Sequence, residues 1–256
     1  MAPTFRHAKG IRVLIDERDF SKFFTDFTVS ASMDAAEVTT FQNSDRNYIG
    51  GLKDVTASFD GLFAASSVAG STNDIVAFMD DAFGGSTKFV VTVDLEGTTG
   101  GRALMMTGDM VTYDIDSPVD NVVGLSLDIQ GSYGYRGGRM LRPLSASTST
   151  GSQSGIISAG TTAAGGTTGG GVGHLHVTSV ASTFGSATFK IQHSTSGSTW
   201  ADLITFTAAT AARFQRSTVS GTVKERLRST ISSYTSAGTS DTITASIAFS
   251  RNGRSI

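Results

Sequence analysis

The chain has no cysteine, little proline and few charged residues. Its 256 residues include 0 Cys and 3 Pro, and charged residues make up 16%, against roughly a quarter in average soluble proteins. The lack of cysteine excludes a disulfide framework, a thiolate metal site and a cysteine nucleophile. There is no run of 18 apolar residues, so we expect no membrane span. Residues 1–7 lack the apolar core of a signal peptide.

Glycine, by contrast, is abundant, and the alternation typical of strands dominates the first half. The 30 glycines suit the many turns and bulges of an all-β protein. Apolar residues alternate with Asp, Ser, Thr or Gln in several segments, namely residues 23–31, 52–63, 88–96, 102–116 and 119–133. A phase shift near Gly108 predicts a bulge, after which Val111, Tyr113 and Ile115 face the core. Ser117 and Pro118 predict the turn of a hairpin.

One segment has the pattern of a helix. Residues 71–74 resemble a capping box, and the residues that follow place four apolar side chains on one helical face, namely Ile75, Val76, Met79 and Phe83. Two glycines at 84 and 85 end the pattern. The first half is therefore predicted to be an antiparallel β structure with one helix packed against it.

Composition and charge both change near residue 144. Residues 145–171 contain no charged and no aromatic residue, which is typical of a linker. We therefore predict a domain at 1–143, a Gly/Ser/Thr-rich linker at 144–172 and a second domain at 173–256. Short strand patterns recur about every ten residues in the second domain, which predicts a β-sandwich.

The predicted polar strand faces carry aspartate but hardly any lysine or arginine. Residues 1–143 hold 19 Asp or Glu and 12 Lys or Arg, a net charge of −7, whereas residues 144–256 hold 3 and 8, a net charge of +5. The acidic faces are either ordinary solvated surface or a face turned toward something that must not adhere. The basic residues of the second half form either a patch without interleaved aromatics or a salt-paired surface; they are Arg213, Arg216, Lys224, Arg226 and Arg228.

Residues 34–51 fit neither the helical nor the strand period and predict a long loop between two strands. A loop of this length in a small domain is usually functional. Its Phe41, Tyr48 and Ile49 would be costly to leave in water, which favours a loop that docks on a partner.

Few residues are candidates for catalysis or metal binding. There is no G-x-S-x-G motif. His174 and His176 share one face of a predicted strand, with His193 as a possible third ligand, but no carboxylate is close in sequence. Asp114 and Asp116 could form a carboxylate pair, yet they lack the loop spacing of an EF-hand. We expect no enzyme activity, no cofactor and no metal.

Two parts of the sequence resemble a known family. GGLKDVTASFDGLF at residues 50–63, followed by NDIVAFMD at residues 73–80, resembles the major tail tube proteins of bacteriophages with long, non-contractile tails. In the second half, residues 189–203, 221–228 and 248–251 are similar to the C-terminal part of actinobacteriophage tube proteins. Ser196–Gly197 stands where the family pattern has Asp-Gly, and the glycine still allows that turn.

The resemblance implies a mainly β fold with an antiparallel β-barrel or sandwich tail tube domain, one packed helix and an outer C-terminal β-sandwich. It implies a virion protein, assembled in the host cytoplasm, that self-assembles into stacked hexameric rings. The tube would hold tape-measure protein, conduct DNA without sequence specificity and meet tail terminator and distal tail proteins at its ends. The resemblance implies the following lumen candidates: Asp26, Asp60, Asp114, Asp116, Asp120 and Asp128. It implies the following inter-ring loop candidates: Phe41, Asp45, Arg46, Tyr48 and Ile49.

Another interpretation is a β-sandwich module that binds carbohydrate or a cell surface. Trp200, Tyr234 and Phe214 would then form its stacking platform. A third, an enzyme, rests only on the histidines and on Asp114 and Asp116.

Overall fold

The computed structural model describes residues 10–41, 44–63, 78–79, 83–85, 88–118, 122–133, 135–152, 157–158, 167–238 and 241–252. It confirms a mainly β chain in which the neighbouring strands pair antiparallel. The strands are β1 (Arg12–Ile15), β2 (Arg18–Asp19), β3 (Phe24–Glu37), β4 (Tyr48–Leu62), β5 (Phe89–Asp94), β6 (Arg102–Asp116), β7 (Gly124–Gly131), β8 (Arg136–Ser147), β9 (Gly151–Ser152), β10 (Ile157–Ser158), β11 (Gly171–Val180), β12 (Phe184–Ser194), β13 (Ala201–Thr205), β14 (Arg213–Val219), β15 (Arg226–Ser236) and β16 (Ile243–Arg251). No helix long and apolar enough to cross a membrane occurs among these described residues.

The chain divides into two compact units that are not consecutive in sequence. Unit 1 comprises Met1–Ser21, Val90–Met105 and Arg136–Ile256, and unit 2 comprises Lys22–Phe89 and Met106–Tyr135. This division differs from the predicted boundary after residue 143, because β8 runs across that point and pairs with β16 near the end of the chain. Composition changes along the sequence do not reveal which distant segments a β-sheet joins by hydrogen bonds.

Unit 2 is built on a four-stranded antiparallel sheet in the order β3-β4-β7-β6, with β6 contributing its second half. The predicted alternation is confirmed on its central strands. Val55, Ala57 and Phe59 of β4 are buried, and so are three residues of β7, namely Leu125, Leu127 and Ile129. One face of this sheet is therefore the core of unit 2.

The predicted helix at residues 72–83 lies mostly outside the described residues. Of the part that is described, Phe78 and Met79 are helical and buried. The Phe83 N–H donates to the Met79 carbonyl at 2.8 Å, and the Phe78 ring contacts the Phe89 ring at 5.5 Å between centroids. These residues place helical structure in the core of unit 2.

Unit 1 contains three packed layers around β11. Its larger sheet runs β14-β11-β16-β8 and continues through the first half of β6 to β5, β1 and β2, and its second sheet has the order β10-β15-β12-β13. On one face of β11, Leu175 and Val177 share a hydrophobic core with Phe189 and Ile191 of the second sheet. On the other face, His174 and His176 contact Thr92 of β5. The predicted C-terminal sandwich is thus present, and N-terminal strands cover its other side.

Strand β5 shows that alternation alone was misleading at residues 88–96. The pattern predicts one exposed face, but all six residues of β5 are buried, including Thr92 and Asp94. The polar face of β5 is covered because it packs against β11 inside unit 1. The local sequence of a strand does not indicate whether a third layer covers its polar face.

The predicted bulge in β6 lies a few residues later than expected. The register shifts between Met110 and Thr112, and both Val111 and Ile115, which were predicted to face the core, are exposed. Gly108 has a different role, because a Cβ at this position would lie 2.1 Å from the Gln130 carbonyl oxygen. The glycine therefore allows β6 and β7 to approach closely.

Part of the predicted linker at 144–172 consists of strands. β8 extends to Ser147, and both β9 and β10 pair with β15. Thr167 forms an isolated bridge with Val223. Residues 153–156 and 159–166 lie outside the described residues. Backbone pairing needs no large side chains, so a composition typical of linkers is compatible with short edge strands.

A matched pair of glycine substitutions tests the packing of unit 2. A Cβ at Gly61 would lie 2.1 Å from the Phe23 carbonyl oxygen, whereas a Cβ at Gly124 would have its nearest neighbour at 3.9 Å. We expect Gly61→Ala to lower the free energy of unfolding by about 2–3 kcal/mol. We expect Gly124→Ala to change it by less than about 1 kcal/mol. Urea unfolding measures both, and equal losses would contradict the predicted close contact.

Candidate assembly surface

The polar side of the unit 2 sheet is a continuous acidic face. Across neighbouring strands Asp26 lies opposite Asp60, Ser58 opposite Asp128 and Asp114 opposite Ser126. Since alternate residues of a strand share a face, the following residues form what we call the acidic face: Asp26, Thr28, Ser30, Asp54, Thr56, Ser58, Asp60, Asp109, Thr112, Asp114, Asp116, Ser126, Asp128 and Gln130. Five of the six lumen candidates are thus brought together. The sixth, Asp120, lies outside the described residues.

None of the strand residues that form the acidic face is a lysine or an arginine. Within the described part of the chain, one cation reaches it from outside: the Lys88 ammonium pairs with Asp109. Hydrogen bonds from Lys88 and from the Ser132 hydroxyl hold the pKa of Asp109 below its usual range. Sequence reasoning did not single out Asp54 or Asp109 as candidates. Alternation along β4 placed Asp54 on the polar side, whereas Asp109 shares this side with Thr112 only because the register shifts between Met110 and Thr112.

Three of the other carboxylates on this face accept short-range hydrogen bonds. Asp128 accepts from the Thr112 hydroxyl at 2.8 Å, Asp26 accepts from the Phe27 N–H at 2.8 Å, and Asp54 accepts from the Val55 N–H at 2.9 Å. Like charges directly opposite one another, such as Asp26 and Asp60, destabilise a sheet by about 0.2–1 kcal/mol. The acidic face therefore lowers local stability and repels anions.

Both outer edges of the unit 2 sheet are open in the described part of the chain. β3 pairs only with β4, and the second half of β6 pairs only with β7. An open edge presents a row of backbone donors and acceptors that can pair with another chain. Because the four strands alternate in direction, the two edges run antiparallel to each other.

The region predicted as a loop at 34–51 is mostly a β-hairpin. Ala35 pairs with Gly50 and Glu37 pairs with Tyr48, so only residues between 37 and 48 remain to connect the two strands. The pairing of β7 with β4 starts at Thr56, and the two strands beyond that point form a ribbon, which we call the arm (residues 32–54). Its strands extend roughly 20 Å past the sheet at about 3.3 Å per residue.

The arm has no buried face of its own. Every described residue between 32 and 54 is exposed, and the side chains of Phe41, Tyr48, Ile49 and Leu52 are among the most exposed apolar groups. Asp45 and Arg46 lie in the turn and are exposed as well. A two-stranded ribbon is marginally stable in water without further packing. The inter-ring loop candidates are thus available to a partner.

Exposed apolar residues and negative charge are both concentrated in unit 2. All the large exposed apolar side chains of the described chain belong to this unit. Unit 2 contains 4 Lys or Arg and 14 Asp or Glu, a net charge of −10, and unit 1 contains 16 and 8, a net charge of +8. The separation of charge is sharper between the units than between the two halves of the sequence. Unit 2 therefore carries both the exposed apolar side chains of the described residues and the excess of negative charge.

The histidines do not form a metal site among the described residues, where no suitable group of three His, Cys, Asp or Glu was found. His176 is buried; its Nδ1 lies 2.6 Å from the Asp16 carbonyl oxygen and its Nε2 lies 2.8 Å from the Thr92 hydroxyl. A neutral imidazole satisfies both contacts, and burial lowers the pKa of His176 to about 4. His193 lies on β12 and accepts from the Lys224 N–H. These contacts give the histidines a structural role.

Asp16 provides a test of buried charge in unit 1. It is buried at a positive φ of 53°, and desolvation raises its pKa to about 7. The folded state therefore binds this proton more tightly than the unfolded state, and ionisation destabilises the fold as pH rises from about 4 to 7. The full pKa shift corresponds to about 4 kcal/mol of destabilisation once Asp16 is ionised. Replacing Asp16 by Asn would recover only part of this free energy, because the buried amide adds a donor that has no acceptor.

We therefore expect Asp16→Asn to raise the free energy of unfolding by about 1–2 kcal/mol at pH 8 and by nearly nothing at pH 4. Asn tolerates the positive φ and can still accept from the Val90 N–H. Urea unfolding at both pH values measures the difference. As a control, Asp202→Asn should show the opposite and smaller trend, because hydrogen bonds from Gln192 and Lys190 lower the pKa of Asp202. A gain for Asp16→Asn that is the same at both pH values would contradict the assignment.

The three aromatic residues of the carbohydrate interpretation do not form one platform. Trp200 lies beside Arg228, whereas Tyr234 is six residues further along β15 and contacts Phe184. Phe214 lies on β14 of the larger sheet. Six residues of strand span about 20 Å, so no single ligand ring could stack on this set.

Comparison with known proteins gives matches among solved structures. No protein-family model matches the chain, and no curated protein sequence matches it. The tail of an empty GTA particle, determined with C6 symmetry, is 13% identical over 51% of this chain and 97% of that chain, with a TM-score of 0.40. The SPP1 tail tube is 8% identical over 51% of this chain and 77% of that chain, with a TM-score of 0.41.

A third similar structure is the SPP1 Dit protein, described as a paradigm of the hub adsorption apparatus in phages that infect Gram-positive bacteria. It is 11% identical over 94% of this chain and 98% of that chain, with a TM-score of 0.38. By their descriptions, the first two of these structures are phage-like tails and the third belongs to a hub adsorption apparatus. The three TM-scores are below 0.5, so the functional argument rests on this chain's own residues.

Proposed function

We propose that this protein is a structural subunit of a phage tail tube, in which copies join edge to edge into a ring around a shared bore and rings stack into a conduit for DNA. The observation that carries the proposal is the acidic face, a continuous polar surface with no lysine or arginine at any strand position, on a sheet whose two outer edges are open. The sequence resemblance supports the same function independently.

Edge-to-edge joining follows from the strand order of unit 2. The outer edge of β3 in one copy would pair with the second half of β6 in the next copy. Since these two edges run in opposite directions, the joined sheet stays antiparallel and every copy keeps the same orientation along the ring axis. Closing the ring removes the open edges, which otherwise invite uncontrolled association.

The size of the bore follows from the number of strands. Six copies, the number that the resemblance implies, would supply twenty-four strands, and a closed barrel of that many strands at about 4.8 Å spacing and about 40° tilt is about 50 Å across. The acidic face would line this bore and the apolar face would remain in the core of each copy.

The chemistry of the acidic face suits the passage of DNA. Phosphates bind proteins chiefly through Lys and Arg contacts, and the strand positions of this face offer neither. Its carboxylates repel phosphates over a Debye length of about 8–10 Å, so a duplex would be kept from adhering to the wall. Tape-measure protein would occupy the same bore before the DNA enters.

Stacking is assigned to the arm. Its apolar side chains, with Phe41, Tyr48 and Ile49 among them, are exposed in the single chain, and contact with a copy in the neighbouring ring would bury them. A contact between different surfaces of two copies repeats without closing when each copy is displaced along the tube axis, and this is the geometry that a tube of variable length needs.

Negative-stain electron microscopy of the purified protein over a range of concentrations tests this function. We expect rings with a stain-filled centre and, at higher concentration, hollow filaments. Particles that remain monomeric at every concentration would overturn the proposal. If only single rings form and never stack, the proposed edge pairing would stand but the proposed tube would be wrong.

A further inference from the structure

The outward face of the second sheet in unit 1 carries an ordered row of polar side chains. Asp202, Gln192 and Arg228 lie directly opposite one another on β13, β12 and β15. The Gln192 amide donates to Asp202 at 2.8 Å, and the Arg228 Nε donates to the Gln192 oxygen at 2.9 Å. Lys190 extends the row by donating to the second oxygen of Asp202 at 2.6 Å. Neighbours such as Ile191 and Leu227 face the core instead.

Trp200, the single tryptophan of the chain, is fixed beside this row. Its indole N–H donates to the Gly197 carbonyl at 3.0 Å, and the Arg228 guanidinium carbon lies 4.3 Å from the ring centroid. The sequence pattern suggests a basic patch without aromatics, but the fold places an aromatic ring against one of its arginines. The Arg228 guanidinium lies over the indole ring, and its Nε donates to Gln192, so the two terminal nitrogens are the groups that would bind a ligand.

Arg228 is not the only cation near the turn between β12 and β13, which carries Trp200. Arg226 lies two residues earlier on β15, on the same face, and approaches Gly197. Both guanidinium groups thus flank the turn that carries Trp200. A fixed guanidinium is suited to bind a carboxylate through two parallel hydrogen bonds.

The remaining members of the row determine which anion fits. Asp202 and Gln192 offer acceptors and an amide beside the cations, and sugar hydroxyls use both. The Asp202 charge is offset by the Lys190 ammonium, so it excludes neither a phosphate nor a carboxylate. The preference for a sugar rests on the acceptors and the amide, which can hydrogen-bond hydroxyl groups. The mixture of guanidinium, amide, carboxylate and indole favours a polyhydroxylated ligand that carries a carboxylate of its own.

We propose that Trp200, Arg228, Gln192 and Asp202 form a binding site for an acidic sugar, a uronic acid unit of a polysaccharide. Arg228 binds the sugar carboxylate, Gln192 and Asp202 bind ring hydroxyls, and the edge of Trp200 contacts the apolar side of the sugar ring. All four residues belong to unit 1 of a single chain, so the site needs no second copy to complete it.

Intrinsic fluorescence gives a direct test, because Trp200 is the only tryptophan and reports from inside the site. Titration of the full chain with a galacturonic acid trimer should give a saturable change in emission. Arg228→Lys keeps the charge but loses the fork, and it should weaken binding about tenfold or more. The matched control Arg213→Lys, on β14 of the other sheet, should bind like the original protein.

Three outcomes would overturn the site. One is the absence of any change in emission up to the solubility of the trimer. Another is equal binding of a neutral galactose trimer, which would remove the role of the carboxylate. The third is a comparable or tighter response to a single-stranded oligonucleotide. Heteronuclear NMR of Arg228→Lys shows whether the variant is folded, so loss of binding is separated from loss of structure.

Discussion

Hollow filaments should disappear when Phe41, Tyr48 and Ile49 are replaced together by serine. These side chains are exposed in the single chain, so their loss leaves the free energy of unfolding nearly unchanged. Full burial of a large apolar side chain contributes about 1.5–3 kcal/mol, so three half-buried side chains in each inter-ring contact contribute about 2–4.5 kcal/mol. The protein concentration needed for filaments should therefore rise about 30-fold or more.

The control for this variant keeps the arm apolar. Phe41→Leu, Tyr48→Phe and Ile49→Val in combination should form filaments at nearly the original concentration. Sedimentation of filaments against protein concentration measures the threshold, and thermal unfolding verifies the fold. Filaments of the serine variant at the original threshold would show that the arm does not join rings.

Charge reversal on the acidic face should give a tube that binds DNA, whereas the original tube should not. We expect original tubes to bind no duplex DNA at moderate salt. Tubes in which Asp60, Asp114 and Asp128 are all lysine should bind it, because three cations per copy would line the bore. Each phosphate that is neutralised adds about 0.9 to the slope of log affinity against log salt, so retention should fall steeply, about 10-fold or more, between 50 and 200 mM salt.

The matched control replaces the same three aspartates by asparagine. This variant removes repulsion without adding cations, so it should retain little DNA at either salt concentration. Co-sedimentation of duplex fragments with filaments measures retention, and electron microscopy verifies that filaments form. If the original tubes bind DNA as well as the lysine variant does, the acidic face is not the wall of the bore.

Alternation predicted the acidic face because one side of the unit 2 sheet is core and the other is polar. Asp60 and Asp128 sit on strands whose other positions, such as Phe59 and Leu127, are apolar and buried. Each strand could therefore be assigned its two faces in isolation. The order of the strands, which makes the face continuous, depends on pairing between distant segments.

The same reasoning failed where burial is not one-sided. β5 is covered on both faces inside unit 1, whereas the arm is covered on neither, and a period-two pattern needs one buried and one exposed face. Ala35 and Ala36 are strand residues through backbone hydrogen bonds alone. The juxtaposition of Trp200 and Arg228 was not predictable either, because they meet only through the pairing of β12 with β13 and β15.

The strand count of unit 2 has a consequence for the width of any assembly. Because each copy contributes an even number of strands, neighbouring strands run in opposite directions at every junction between copies, whether five, six or seven copies join. Hydrogen bonding between strands therefore sets no limit on the number of copies in a ring, and the curvature of the sheet determines that number. The register is irregular on both joining strands, between Phe24 and Asp26 on β3 and between Met110 and Thr112 on β6. Inserting or deleting a single residue at either place would change the curvature and so the diameter of the bore.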